Sequence, residues 1–146
     1  MSIFNSFDIC ASGMTSQRFR TDIITQNIAN ANTTRTENGE PYRRKVGTFA
    51  EKNNTPFSHV LARTGADMTG SGVKVTRVSQ DYETEMVRAY DPSHPDADEN
   101  GYVTYPNVNI ITEMTNLIDA TRAYEANATA FESSKAIVTK GLSLGQ

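Results

Sequence analysis

The chain has 146 residues, a formal net charge of −3 and a pI near 5.4, so it fits one domain of ordinary size and lacks the basic excess of nucleic-acid-binding proteins. Its hydrophobic content of 37% is below the roughly 45–50% typical of globular domains, and its mean hydropathy is −0.52. No apolar run approaches the roughly 20 residues of a membrane span, and a single cysteine excludes an internal disulfide.

The N-terminal region is predicted to be helical. MSIFNSFDIC has no Lys or Arg before its apolar residues and no small-residue cleavage site after them, so it does not resemble a secretory signal peptide. Apolar side chains instead recur at alternating steps of four and three, which predicts an amphipathic helix over residues 3–29. Gln17 and Thr21 interrupt this apolar stripe, and Cys10 lies within it as a small buried residue.

The predicted helix ends in an unusual polar segment, TQNIANANTTRT at residues 25–36. Asn27, Asn30 and Asn32 alternate with small alanines, where a single glycine would suffice to end a helix. Asparagine tolerates left-handed backbone conformations and hydrogen-bonds nearby backbone groups. We therefore expect these side chains to satisfy the last carbonyls of the helix. Two interpretations stay open: a polar cap alone, or a cap that also contacts the second helix or a neighbouring subunit.

The middle of the chain is predicted to be a loop-rich β-region. Residues 33–106 contain all five prolines and six of the nine glycines. Short segments rich in Val and Tyr, bounded by Gly, Pro and Asn, predict four strands at residues 42–50, 73–80, 85–90 and 101–105. The glycine-rich stretch 64–72 lacks the Lys-Ser/Thr of a phosphate-binding loop, so its glycines are interpreted as turn formers.

The acidic stretch DPSHPDADENGYVTYPN, residues 91–107, partly matches the opening of an EF-hand calcium loop. The twelfth loop position requires a bidentate Glu, and this chain has Asn107 there. No helix is expected directly before Asp96, because His94 and Pro95 precede it. We predict a turn in which Asp side chains bind nearby backbone N–H groups and Asn100-Gly101 reverses the chain into a strand.

A second long helix is predicted over residues 107–144. It follows Pro106, Asn109 can cap its first turn, and Gly141 is expected to break it. Apolar residues again recur at heptad-like spacing, in the series 110, 114, 117, 121, 124, 128, 131, 135, 138 and 142, which Lys135 interrupts.

These elements predict an α+β fold in which long N- and C-terminal helices form an antiparallel coiled-coil-like hairpin around a small β insert. The expected division is residues 1–36, 37–106 and 107–146. Two helices leave much apolar surface uncovered, which favours a subunit of an assembly. The alternative is a soluble binding module with a closed helical dimer interface. No convergent set of catalytic or metal-binding residues is evident, so we expect neither an enzyme nor a cofactor.

Several stretches resemble the family of bacterial flagellar rod, hook and hook-associated proteins. These are QNIANANTTRT followed by Pro41-Tyr42-Arg43-Arg44, the block YDPSHPDADENGYVTYPNVNIITEM, and ATRAYEAN at residues 120–127. The Asn-Ala-Asn motif is typical of the whole family, and the HPDAD…GYV…PNV block points to a rod subunit. The resemblance covers nearly the whole chain and is weakest over residues 51–70.

The resemblance implies a non-catalytic structural subunit of the proximal rod of the flagellar basal body, built through its terminal helices into a hollow helical drive shaft. It implies export by the flagellar type III apparatus without a cleaved signal peptide. The implied partners are other rod subunits and the basal-body junction protein, with no nucleic acid and no direct membrane span.

The expected assembly interface combines the apolar stripes of both predicted helices with polar residues at the ends of the two motifs. Its members are Phe7, Cys10, Met14, Ile24, Asn27, Ile28, Asn30, Asn32, Ile110, Met114, Leu117, Arg122, Tyr124, Asn127, Phe131 and Val138.

Overall fold

A computed structural model describes residues 3–52 and 70–144 and shows the α+β fold predicted from the sequence. Along the chain, four short strands lie between two long terminal helices. The elements are α1 (Ile3–Ala29), β1 (Lys45–Glu51), β2 (Val73–Gln80), β3 (Val87–Tyr90), β4 (Tyr102–Tyr105) and α2 (Ile110–Ser143). Most of the glycine-rich stretch 64–72, together with the last two residues of the chain, lies outside the described residues.

Helix α1 covers the predicted 27 residues and ends in the Asn-rich segment. The side chain of Asn30 donates to the carbonyl of Gln26 over 2.9 Å, as expected for one of the last helical carbonyls, although this carbonyl also accepts from the Asn30 N–H at 3.1 Å. The asparagines do not use their tolerance of left-handed backbone, because among the described residues only glycines have positive φ. The chain leaves the helix through successive tight turns, in which Ala31 N–H bonds Ile28 and Thr33 N–H bonds Asn30.

The strands form two separate two-stranded sheets, β1 with β2 and β3 with β4. Antiparallel β3 and β4 pair Val87 with Tyr105 and Tyr90 with Tyr102. The turn between them contains Gly101 at φ +77°, where a Cβ would lie only 3.0 Å from the ring of Tyr90. The chain reversal predicted at Asn100-Gly101 is therefore confirmed, and glycine is required there by both conformation and space.

Helix α2 begins at Ile110, three residues later than predicted, and the predicted cap is confirmed. The side-chain oxygen of Asn109 accepts from the N–H groups of Ile111 at 3.0 Å and Thr112 at 3.2 Å. The prediction that Gly141 breaks the helix is wrong, because α2 continues to Ser143. Gly141 keeps a helical backbone, so the absence of a side chain does not interrupt the helix. No atom lies within 4 Å of a Cβ built at this position. No described helix is both long and apolar enough to span a bilayer.

Residue contacts divide the chain into two compact units. In the described residues, the first contains 3–18, 49–52, 70–76 and 121–144. Within it the two helices run antiparallel, because Phe7 contacts Phe131 at 5.0 Å between ring centroids and the later Gly13 faces the earlier Asn127. A Cβ on Gly13 would lie 2.6 Å from the Asn127 side-chain oxygen, so the close approach of the helices depends on glycine here.

The second unit contains residues 19–48 and 77–120. Its buried apolar side chains come from the end of α1, the segment before β1, strand β4 and α2; they are Ile23, Ile24, Ala31, Tyr42, Val103 and Ala120. Four polar side chains are also buried in the two units: Ser16, Asn27, Asn107 and Glu113. Three of these four lie in the second unit, where the buried apolar set is small.

Only some residues of the apolar series predicted for the second helix pack against other parts of the chain. In the first turns of α2 the inward positions are Glu113 and Ala120, while Ile110 and Met114 are exposed. Farther along, Phe131 and Val138 are half-buried as predicted, whereas Tyr124 is exposed. Glu113, which is not part of the predicted apolar series, is therefore one of the residues that α2 turns inward.

Candidate assembly site

Asn27, on the last full turn of α1, is the centre of a buried polar cluster in the second unit. Its side chain is 1% exposed. The amide oxygen accepts from Lys45 N–H at 2.9 Å and from the Tyr42 hydroxyl at 3.0 Å. The amide nitrogen donates to Lys45 C=O at 2.9 Å and to Glu113 Oε2 at 3.0 Å. Asn27 therefore connects α1 to both the start of β1 and α2, which a cap alone would not do.

Glu113 is the buried acid of this cluster and is also 1% exposed. Its Oε1 accepts from Arg44 Nη2 at 2.7 Å and from Arg44 Nε at 2.9 Å, while Oε2 accepts from Asn27. Arg44 keeps partial access to water, and its Nη1 lies 3.6 Å from Asp81 Oδ2. The buried carboxylate is thus both ion-paired and hydrogen-bonded, the condition under which a buried charge is tolerated.

Asn107 extends the cluster to the segment before α2. Its side-chain oxygen accepts from Arg44 N–H at 2.9 Å, and its amide nitrogen donates to the carbonyls of Asp81 at 3.0 Å and Thr84 at 3.1 Å. The residue that replaces the EF-hand glutamate therefore has a structural role, since it holds the start of β1 against the loop after β2.

Two members of the cluster have shifted acidities. Burial raises the pKa of the Tyr42 hydroxyl above its ordinary value, and the negative charge of Glu113 raises it further. Hydrogen bonds from the backbone and the side chain of Thr84 lower the pKa of Asp81, with smaller contributions from the Glu83 N–H and from Arg44. These two shifts favour a neutral Tyr42 hydroxyl and an ionised Asp81 carboxylate in the folded chain.

The acidic stretch forms the predicted turn, and its carboxylates bind protein groups. Asp98 Oδ1 accepts from the N–H groups of Asn100 at 2.9 Å and Tyr102 at 2.8 Å. Asp96 accepts from the Thr34 hydroxyl at 2.8 Å and lies 3.7 Å from Arg35 Nη1. The turn is thereby attached to the end of the Asn-rich segment, residues 25–36. In the described part of the chain, no group of three or more His, Cys, Asp or Glu side chains could hold a metal ion.

In the first unit, two of the predicted interface residues contact each other and a third contacts other residues of the same unit. Phe7 packs on Phe131, and Asn127 faces Gly13 while it donates to the Ala123 carbonyl at 2.7 Å. The remaining predicted positions of this unit are partly covered, apart from the exposed Arg122 and Tyr124; they are Cys10, Met14 and Val138.

In the second unit the predicted residues separate into an inner and an outer set. Ile24 and Asn27 are buried, and Ile28, Asn30 and Leu117 are half-buried, while Asn32, Ile110 and Met114 are exposed. Ile111 and Ile118 lie outside the predicted apolar series and are 78% and 52% exposed. With Met114, at 54%, they are spaced three and four residues apart, so they form one apolar stripe on the outer side of α2.

The cluster residues that sequence reasoning missed are Tyr42, Arg44, Asp81, Asn107 and Glu113. Charged residues in a helix or strand are usually solvated, so nothing in the local pattern separates Glu113 from its exposed neighbours. One signal was available: Asn107 and Glu113 lie in the same PNVNIITEM block, and Tyr42 and Arg44 in the PYRR block, on which the family resemblance rests.

Comparisons with known proteins match both terminal regions of the chain. A family model described as "Flagella basal body rod protein" matches residues 7–35, and one described as "Flagellar basal body rod FlgEFG protein C-terminal" matches residues 99–144. The chain is similar over its full length to curated proteins called "Flagellar basal-body rod protein FlgC". It is 41% identical to the one from Bacillus subtilis (strain 168), with both chains fully covered, and 40% identical to that from Borreliella burgdorferi, with 99% of the relative covered. Identity to the Salmonella typhimurium protein is 38%, again with both chains fully covered.

Proposed function

The chain belongs to the FlgC family of flagellar basal-body rod proteins, and we propose that it enters the rod through contacts made by its terminal segments, residues 1–36 and 107–146. As a member of this family it is a structural subunit of the basal-body rod and assembles with other rod components. Its relatives are structural proteins, which favours this function over the soluble binding module considered from the sequence.

The observation that carries the proposal is the outer apolar stripe of α2, formed by Ile111, Met114 and Ile118. Each of these side chains is more than half exposed, although Glu113 beside them is buried. Contiguous exposed apolar surface marks interaction sites on soluble proteins. In a rod subunit the expected occupant is a neighbouring subunit. The exposed Ile110 and Asn32 of the second unit, and separately the exposed Arg122 and Tyr124 of the first unit, are proposed as further subunit contacts.

The predicted interface residues that are buried or half-buried within the chain have a different part in the proposal. Asn27, Ile24 and Phe131 contact other parts of their own chain, so we assign them to holding the helices in position for assembly. The proposed location is the proximal rod, where subunits build a hollow helical drive shaft and contact other rod subunits and the basal-body junction protein. Delivery is proposed to use the flagellar type III export apparatus without signal cleavage.

The test is the double variant Ile111→Asp, Ile118→Asp. Both side chains already face solvent, so two carboxylates there should leave the chain folded and exported. In the assembled rod the same carboxylates would be buried without partners, at a cost of several kcal/mol each after relaxation. We expect secreted protein, basal bodies without a completed rod, and non-motile cells.

The matched control is Thr112→Asp, an exposed position on a different side of the same helical turns. It should leave motility unchanged. Motile cells with the double variant would show that the outer stripe is not a subunit contact. Loss of motility in the control would show that the helix tolerates no added charge, and the stripe would then have no special role.

A further inference from the structure

The first turns of α2 offer two possible inward faces. The apolar one, predicted from the sequence, contains Ile110, Met114 and Leu117. The observed one contains Glu113, Leu117 and Ala120, with Glu113 and Ala120 almost fully buried. At 3.6 residues per turn the centres of these two faces differ by roughly 60° of rotation about the helix axis. Since they share Leu117, the helix can change between them by rotating without moving along its axis.

Hydrophobic burial alone favours the face that is not used. It would remove Ile110 and Met114 from water and return Glu113 to it, and both changes are favourable for free side chains. The observed rotation has the opposite effect, since it buries a carboxylate and exposes two large apolar residues. Some interaction specific to the observed rotation must therefore offset this difference.

The buried polar cluster supplies that interaction. Glu113 receives three hydrogen bonds, two from Arg44 and one from Asn27, all between 2.7 and 3.0 Å. Asn27 is fixed in turn by both backbone groups of Lys45 and by the Tyr42 hydroxyl. A rotation of α2 by roughly 60° would break all three bonds to Glu113 at once, and Asn27 would lose its partner on α2.

We infer that the cluster of Asn27, Arg44 and Glu113 sets the rotation of the first turns of α2 against the competing apolar face. Buried polar groups are known to select one register in helical bundles at a cost in stability. The cluster thereby keeps Ile110 and Met114 on the outside of the chain. That they are then available to a neighbouring subunit rests on the proposed function; the rotation itself does not.

The experiment compares the reactivity of two cysteine reporters in the full-length chain, with Cys10 replaced by serine. Met114→Cys reports the outer side of α2 and Ala120→Cys reports the inner side. With Glu113 intact, a maleimide should alkylate the Met114→Cys thiol at least tenfold faster than the Ala120→Cys thiol. With Glu113→Leu added, the order should reverse, because rotation buries position 114 and exposes position 120. Arg44 retains Asp81 at 3.6 Å, so this variant leaves no buried cation unpaired.

Two further variants separate rotation from other effects. Glu113→Gln retains an acceptor for Arg44 and should keep the original order, and Glu125→Leu makes the same Glu-to-Leu change at an exposed site and should keep it too. Arg44→Met combined with Glu113→Leu removes both charges and should reverse the order as Glu113→Leu does.

An unchanged order in both variants that carry Glu113→Leu, with and without Arg44→Met, would overturn the inference. Fast alkylation at both positions in both variants would overturn it as well, because the cluster would then be needed for folding and not for choosing the rotation. Neither result bears on the outer stripe, since the experiment uses the chain without its rod partners.

Discussion

At the scale of single residues, the hydrogen bonds of Asn27 explain why the first helix ends in asparagines. Its amide group makes two hydrogen bonds as donor and two as acceptor, to Lys45, Tyr42 and Glu113. Glycine could end the helix but has no side chain to make these bonds. Asp lacks the donor and would place a second carboxylate 3.0 Å from Glu113. Only a side-chain amide of this length suits the position.

Replacing Asn27 with alanine should strongly destabilise the chain. The change leaves the backbone groups of Lys45 without their partner in a buried site, and each unsatisfied group costs about 1–3 kcal/mol. We expect a loss of roughly 2–4 kcal/mol in the free energy of unfolding, measured by urea denaturation. The control Asn32→Ala, in the same motif but exposed, should change it by less than about 0.5 kcal/mol. Equal effects of the two substitutions would show that Asn27 only caps the helix.

The raised pKa of Tyr42 predicts a specific loss of stability in alkali. Because the folded state raises this pKa above 10.0, the stabilising contribution of the neutral hydroxyl is present below pH 10.0 and is lost as the pH rises through the folded-state value. Tyr42→Phe removes one hydrogen bond and should cost about 1 kcal/mol at neutral pH. Above pH 10.0 the difference between the wild type and this variant should shrink.

Urea midpoints measured across this range test the expectation, with the exposed Tyr82→Phe as control. A difference for Tyr42→Phe that stays constant from neutral to alkaline pH would contradict it.

At the scale of helices and strands, the sequence predicts most where the cause is local. The extent of α1 follows from apolar spacing, and the start of α2 follows from Pro106 and the Asn109 cap. The inward face of α2 could not be predicted, because it depends on Arg44, which lies 69 residues earlier. The same limit applies to Gly141: a helix-breaking tendency of about 1 kcal/mol is small when the flanking residues favour the helix.

The acidic turn should not bind calcium. Asp96 is occupied by Thr34 and Arg35, Asp98 by backbone N–H groups, and Asn107 replaces the bidentate Glu. Titration calorimetry at about 1 mM calcium, the weak end of EF-hand affinities, should show no saturable site. Saturable binding that is lost in Asp96→Ala but kept in Asp119→Ala would prove this wrong.

At the scale of the whole molecule, the cluster joins parts of the chain that the sequence analysis placed in three separate segments. Asn27 comes from residues 1–36, Arg44 from 37–106 and Glu113 from 107–146. Each contact is between residues far apart in sequence, and no local pattern encodes such a contact. The family resemblance predicted the structural role of the chain, but the cluster becomes visible only in the folded chain.

Deleting residues 2–30 tests the proposed export route. By similarity to the family, the N-terminal segment should be needed for delivery through the flagellar type III apparatus, so the truncated chain should stay in the cytoplasm. Immunoblots of culture supernatant and cell lysate measure the distribution. Asn27→Ala in the full-length chain is the matched control, because it disrupts the cluster but keeps the segment, and it should still be exported. Normal secretion of the truncation would refute the proposed role of this segment.

The pairing of Asn27 with Lys45 has a consequence for unwanted aggregation. Lys45 is the first residue of β1, and both of its backbone hydrogen-bonding groups are occupied by the Asn27 amide, while the preceding N–H of Arg44 is occupied by Asn107. A strand edge with free backbone groups can recruit strands from other copies and start fibril-like growth. The N–H of Arg44 and both backbone groups of Lys45 are already bonded to side chains, so a strand from another copy cannot form hydrogen bonds with them. For a subunit of an ordered rod, this end of β1 is thereby protected against polymerisation through the sheet.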